Sequence, residues 1–173
     1  MTSSHEIDLG LLILRVVLGL TLAAHGYAKF FRGGRLAGTA RWFDSIGMRP
    51  GRIHALAAAS TELGSGVLLA LGLLTPFAGA GMVGVMVVAG YVAHRKNGFF
   101  IVKDGWEYNF VLAIVGVAVA TTGPGTWSLD HAIFDRPAAF GLYGVKGLLL
   151  AVLLGGLGGV AQLAAFYRPP AKA

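Results

Sequence analysis

The run Leu9–Phe31, LGLLILRVVLGLTLAAHGYAKFF, constrains this chain more than any other stretch. At ~1.5 Å per helical residue, its 23 residues cover a ~30 Å hydrocarbon core. It nevertheless carries Arg15 near one end, His25 in its second half and Lys29 at the other end. On insertion scales a charged group inside a span costs ~2.5–3.5 kcal/mol, so it needs a partner or water. Turning the segment at ~100° per residue aligns Arg15, Gly19, Leu22, Gly26 and Lys29 on one stripe, with His25 on its flank. The other spans are expected to bury that stripe.

Composition supports the membrane reading. Only 13% of residues are charged, against roughly 25% in soluble domains, while 55% are hydrophobic and the mean hydropathy is +0.70. The 173 residues suit one domain, 1–173. The 27 glycines suit close helix packing in lipid. With no cysteine, the residues given hold no disulfide, thiolate nucleophile or cysteine-ligated cluster. The start, MTSSHEIDLG, has no Lys or Arg and lacks the basic region of a signal peptide, so the first span is expected to be retained.

Five spans are expected, at about 9–31, 53–74, 77–93, 106–122 and 138–167, an all-α integral membrane bundle. Thr75-Pro76 makes a tight turn between the second and third, and Gly123-Pro124-Gly125 ends the fourth. Segment 36–48, LAGTARWFDSIGM, reads as a short interfacial helix. Trp42, Phe43, Ile46 and Met48 would dip into the headgroups while Arg35, Arg41 and Arg49 stay wet. The net charge of +6 points to lipid contact and orientation rather than to nucleic acid. Eleven of the 14 Lys and Arg fall in the first loop, the third loop and the C-terminal tail. Arg136 stands alone on the other side. The positive-inside rule then predicts a multi-pass cell-membrane protein with its N-terminus outside and its C-terminus cytoplasmic.

Depth selects which polar groups can meet. Glu62 lies ~15 Å up its span and falls between Arg15 and His25 in depth. One reading makes Arg15, His25 and Glu62 the lining of an internal cavity, with His25 and Glu62 exchanging protons. The other is a buried ion pair joining two helices. Glu107, Tyr108 and Asn109 open the fourth span near Lys29, so either a Glu107–Lys29 pair forms or Glu107 is simply solvated. His94, with Asn97-Gly98-Phe99-Phe100, lies at the same mouth. Asp130 either meets Arg15 or, with Ser128, caps a helix. The dispersed histidines predict no metal site. The run Gly155-Gly156-Leu157-Gly158-Gly159 reads as a packing face or a flexible segment rather than a nucleotide loop.

These residues resemble the DoxX family of small bacterial and archaeal membrane proteins. The matching pieces run in order from Arg15 with Leu18-Gly19, through His25-Gly26 and Lys29, to Trp42-Phe43 and Ile46-Gly47. They continue with Glu62-Leu63-Gly64, Leu71 to Thr75, His94 with Asn97 to Phe100, and Glu107-Tyr108-Asn109. Gly123-Pro124-Gly125 and Ser128-Leu129-Asp130 complete the set, which covers about residues 9–131. The resemblance implies a four-helix core with the span 138–167 added. It also implies a membrane-embedded oxidoreductase component in sulfur, thiol or oxidative-stress metabolism, since the family is named for a subunit of an archaeal thiosulfate:quinone oxidoreductase.

On that basis the leading expectation is a subunit of a quinone-linked oxidoreductase. His25 would exchange protons, Arg15 and Lys29 would stabilise negative charge, and Glu62 would tune the pocket, with Glu107, Asn109 and His94 at its mouth. No cofactor follows from the residues themselves, although a quinone is admitted. Partners would be lipid, a soluble redox enzyme or sister subunit, or a second copy of the chain. Two other readings stand beside it: a non-catalytic anchor using Arg32, Arg35, Arg41 and Arg49, and a small carrier with a midplane site at Glu62.

Overall fold

The apolar blocks become helices that antiparallel packing joins into one bundle. The computed structural model describes residues 4–134 and 142–169. Its helices are α1 (Ser4–Phe31), α2 (Arg35–Ser45), α3 (Gly51–Leu71), α4 (Thr75–Asn97), α5 (Glu107–Thr122), α6 (Leu129–Phe134) and α7 (Val145–Phe166). Four of them, α1, α3, α4 and α7, are long and apolar enough to cross a membrane. At 16 residues α5 is apolar but shorter, about 24 Å of rise. Arg136, Lys172 and positions 138–141, where the last span was expected to begin, lie outside the described residues.

Small residues set how α1 meets α3. A Cβ on Gly19 would fall 2.5 Å from the Ala70 nitrogen, one on Gly26 2.4 Å from Leu63 nitrogen, and one on Gly66 2.4 Å from Ala23 nitrogen. Backbones this close gain dispersion contacts where lipid offers no hydrophobic drive. The glycine contacts also fix the register, bringing Arg15 level with the end of α3 and Lys29 level with its middle. Leu22, Leu69, Met82 and Val119 fill the core between α1, α3, α4 and α5.

The break between α3 and α4 is local chemistry reinforced from afar. Gly72 takes φ +64 to end α3, and Pro76 lies in the first turn of α4. The carboxylate of Asp130 accepts from the Leu74 and Thr75 N–H groups at 2.8 and 3.1 Å. It also accepts from Thr75 Oγ1 at 2.9 Å and Tyr143 Oη at 2.6 Å. Asp130 thus caps α4 rather than its own helix, and Ser128 Oγ caps α6 by accepting from His131 N–H at 3.2 Å.

The segment expected to float in the headgroups is partly built into the bundle. Phe43 and Met48 are buried against Ala55, Val88, Val92 and Leu163, and of the four apolar side chains expected at the headgroups Trp42 alone is well exposed. The reason is the tie between α2 and α3: Gly51 N–H donates to Asp44 Oδ1 at 2.7 Å. The last helix, α7, carries a π-helical stretch at Leu150–Leu157. There Gly155 meets Ala80 so closely that a Cβ would lie 2.3 Å from the Ala80 carbonyl oxygen. Its far end is held by the Arg168 N–H, which donates to the Gly47 carbonyl at 2.8 Å.

Candidate functional site

One end of the bundle carries Arg32, Arg35, Arg41, Arg49, Arg95, Lys96 and Lys103; we call it the basic end. A cavity of about 1220 Å³ extends inward from it, walled by α1, α2, α3, α4, α5 and α7. Most of its wall is apolar, with residues such as Leu18, Leu22, Phe77, Met82, Val85 and Leu112. A largely apolar cavity with a few placed polar groups is the usual form of a small-molecule site.

The polar groups are few. Lys29 Nζ donates to Glu62 Oε2 at 2.5 Å, with the Glu62 side chain 8% exposed and that of Lys29 24%. His25 lies one turn before Lys29 on α1, exposed along the same wall. Asn109 is buried where α5 crosses Gly90, its Nδ2 3.6 Å from Met86 Sδ. His94 Nδ1 donates to the Asp104 carbonyl at 2.9 Å and lies 3.3 Å from Asp104 Oδ1. Asn97 Nδ2 also donates to that carbonyl, at 3.1 Å, closing the α4–α5 connection over the mouth.

Thus His25, Lys29, Glu62, His94 and Asn109 border one cavity, while Arg15 and Glu107 do not. Arg15 is buried at the opposite end, donating to the carbonyls of Ala70, Pro124 and Trp127. The expected grouping of Arg15 with His25 and Glu62 is therefore not formed. Depth counted along each span separately cannot see the glycine register, which sets Arg15 beside Gly72 instead. Nor does a Glu107–Lys29 pair form. Glu107 Oε2 accepts from the Ile101 N–H at 2.9 Å, and Lys29 is engaged by Glu62.

Two residues escaped the sequence reading. His54, one turn inside α3, is 2% exposed and borders the cavity, with its Nδ1 3.0 Å from Gln162 Nε2 of α7. The signal was a second ionisable residue in the apolar block 53–74, eight positions before Glu62 and about 80° around the helix from it. Gln162 gave less sign of itself, being a lone uncharged polar group in the last apolar block.

The family model described as DoxX matches residues 10–95, the stretch from α1 through most of α4 that supplies His25, Lys29, His54, Glu62 and His94. A Bacillus subtilis protein named "Putative oxidoreductase CatD" is 32% identical over 131 residues, 76% of this chain and 92% of that protein. The chain belongs to the DoxX family. An uncharacterized membrane protein of Mycobacterium tuberculosis, Rv3486, is 30% identical over 140 residues, 74% of this chain and 83% of that protein. No solved structure matches the chain. As a DoxX member it is a multi-pass membrane protein, and lipid surrounds its apolar helices. Asn109 and Gln162, on α5 and α7, complete the cavity from outside the stretch that the family model matches.

Proposed function

We propose that this DoxX protein is a redox-associated membrane subunit whose cavity takes a quinone-like headgroup. The carrying observation is the Lys29–Glu62 ion pair set in the wall of a mainly apolar cavity. An apolar wall suits a hydrophobic ring and tail, and a few polar groups fix its orientation. The name of the Bacillus subtilis relative supports an oxidoreductase setting. The positive-inside rule puts the basic end in the cytoplasm, with the N-terminus outside.

A quinone, when bound, supplies two-electron, two-proton chemistry, its electrons exchanged with a soluble redox enzyme or sister subunit. The chain's own residues handle charge and protons. Lys29 pairs with Glu62 and offers N–H donors toward an oxygen that gains negative charge. His25, exposed on the same wall, passes a proton to or from the occupant at its ring nitrogens.

The test is to purify the complex in mild detergent, ask whether quinone travels with it in a lipid extract, and measure quinone-dependent turnover. His25→Ala and Glu62→Gln are expected to lower turnover at least tenfold while insertion persists. Full activity in both variants would remove the site.

A further inference from the structure

Among the described residues two buried side-chain polar atoms lack a hydrogen-bond partner, His54 Nε2 and His131 Nδ1. His131 is only partly buried, whereas the whole His54 residue is 2% exposed and borders the large cavity. A buried polar group left unpaired costs about 1–3 kcal/mol, so it calls for an explanation.

The geometry defines what the nitrogen is. With the Gln162 amide oriented so that Nε2 faces the ring, it donates to His54 Nδ1, and the ring proton sits on Nε2. Two rings pack near the imidazole: Phe166 meets it edge-on with centroids 5.0 Å apart, and Phe43 lies at 6.1 Å. His54 is therefore a fixed N–H donor, its tautomer set by α7, with no acceptor in the protein.

We propose that His54 Nε2–H donates to a carbonyl oxygen of the cavity's occupant, making a second polar post on α3 beyond the Lys29–Glu62 pair. This rests on the reading of the cavity as a binding site for a ring-bearing carbonyl compound. Eight residues separate His54 from Glu62, about 12 Å of helix rise, so one small ring does not bridge the two posts. A headgroup has a station at each. The station at His54 lies nearer the basic end and is built from α3 and α7, with Phe43 of α2 against it. Nε2 is shut off from bulk water, so an entering oxygen displaces a lining side chain, and side-chain rotamer changes of that kind are common on binding.

Binding is read directly on the full chain in detergent, with a decyl-tailed benzoquinone and with a decyl-tailed aryl ketone that is not a quinone. The readouts are quenching of tryptophan fluorescence, Trp42 being in the cavity wall, and the ¹⁵N resonance of labelled His54. The expected result is a shift of the Nε2 resonance on adding either probe. Affinity should fall at least tenfold in His54→Phe and recover in His54→Gln, whose amide keeps a donor in place. Gln162→Leu, which frees the tautomer, should weaken binding while His54 remains present. Benzoquinone binding with an unmoved His54 resonance and an unchanged affinity in His54→Phe would overturn the assignment and leave the proposed function standing. A response of His54 to the ketone without any benzoquinone binding would support the assignment and remove the quinone reading. No response to either probe would overturn both. A His54→Phe chain that does not fold leaves the decision to the wild-type resonance and to Gln162→Leu.

Discussion

Lys29 Nζ lies 2.5 Å from Glu62 Oε2 across the α1–α3 interface, one helical turn beyond the contact of Gly26 with Leu63. A buried carboxylate beside an ammonium gains little over an apolar pair, but breaking the pair leaves a buried charge uncompensated. Removing one partner should hurt more than removing both. Lys29→Met alone is expected to cost about 1–3 kcal/mol, less than the ~3–5 of a fully buried pair because Lys29 is partly exposed. The double variant Lys29→Met with Glu62→Leu should regain most of that. Thermal melts in detergent, arranged as a double-mutant cycle, measure the coupling. Equal losses in the single and double variants would show the pair to be uncoupled.

Glycine contacts hold the register that brings this pair together. Gly26→Ala places a Cβ 2.4 Å from the Leu63 nitrogen, and Gly66→Ala places one 2.4 Å from the Ala23 nitrogen. Neither backbone can yield without moving a helix. Each substitution is expected to cost about 1–3 kcal/mol and to weaken the proposed quinone binding by disturbing the pair. Gly64→Ala, whose Cβ would meet nothing within 4 Å, is the control and should be neutral or slightly stabilising. Melting temperatures of the three proteins decide the matter.

At the opposite end Tyr143 donates to Asp130 at 2.6 Å, and burial, followed by that bond, pushes the phenol pKa up from 10.0. A raised pKa means that the folded chain holds the proton more tightly than the unfolded one. The contribution is therefore complete below pH about 10 and is lost as pH rises above it. Heat stability should fall through that alkaline window. In Tyr143→Phe it should start lower by about 1–3 kcal/mol and fall less steeply with pH. Parallel pH–stability curves for the two proteins would disprove the link.

Much of the fold is legible in the sequence because its signals are local. Apolar runs mark the spans, Thr75-Pro76 and Gly123-Pro124-Gly125 mark breaks, and Gly155 within its apolar block does serve packing. The ordered motifs from Arg15 to Asp130 carry the family. Pairings between helices are another matter. Arg15 and Lys29 lie on one stripe of α1, yet they serve opposite ends of the bundle. Which of them meets Glu62 depends on the glycines of two helices interlocking, a non-local fact. Asp130 likewise reads as a cap in the sequence, but the helix that it caps is α4, more than fifty positions earlier. His54 stayed hidden because its partner, Gln162, comes from the last helix.

Arg15 separates a structural role from a functional one. Its guanidinium serves three carbonyls: Ala70 at the end of α3, and Pro124 and Trp127 in the turn between α5 and α6. Those carbonyls are left short of donors if the side chain is shortened or made apolar. The cost of such orphaned groups is about 1–3 kcal/mol each before any water enters. Arg15→Met is therefore expected to destabilise the chain more than Glu62→Gln does. Arg15→Lys should recover only part of the loss, because one ammonium cannot reproduce a planar fork of donors. Arg15 is not among the residues lining the cavity, so whatever Arg15→Lys protein folds should keep the proposed quinone binding at unchanged affinity. Detergent melts read the first effect and fluorescence titration the second. A loss of affinity in a folded Arg15→Lys protein, out of proportion to its loss of stability, would return Arg15 to the binding site.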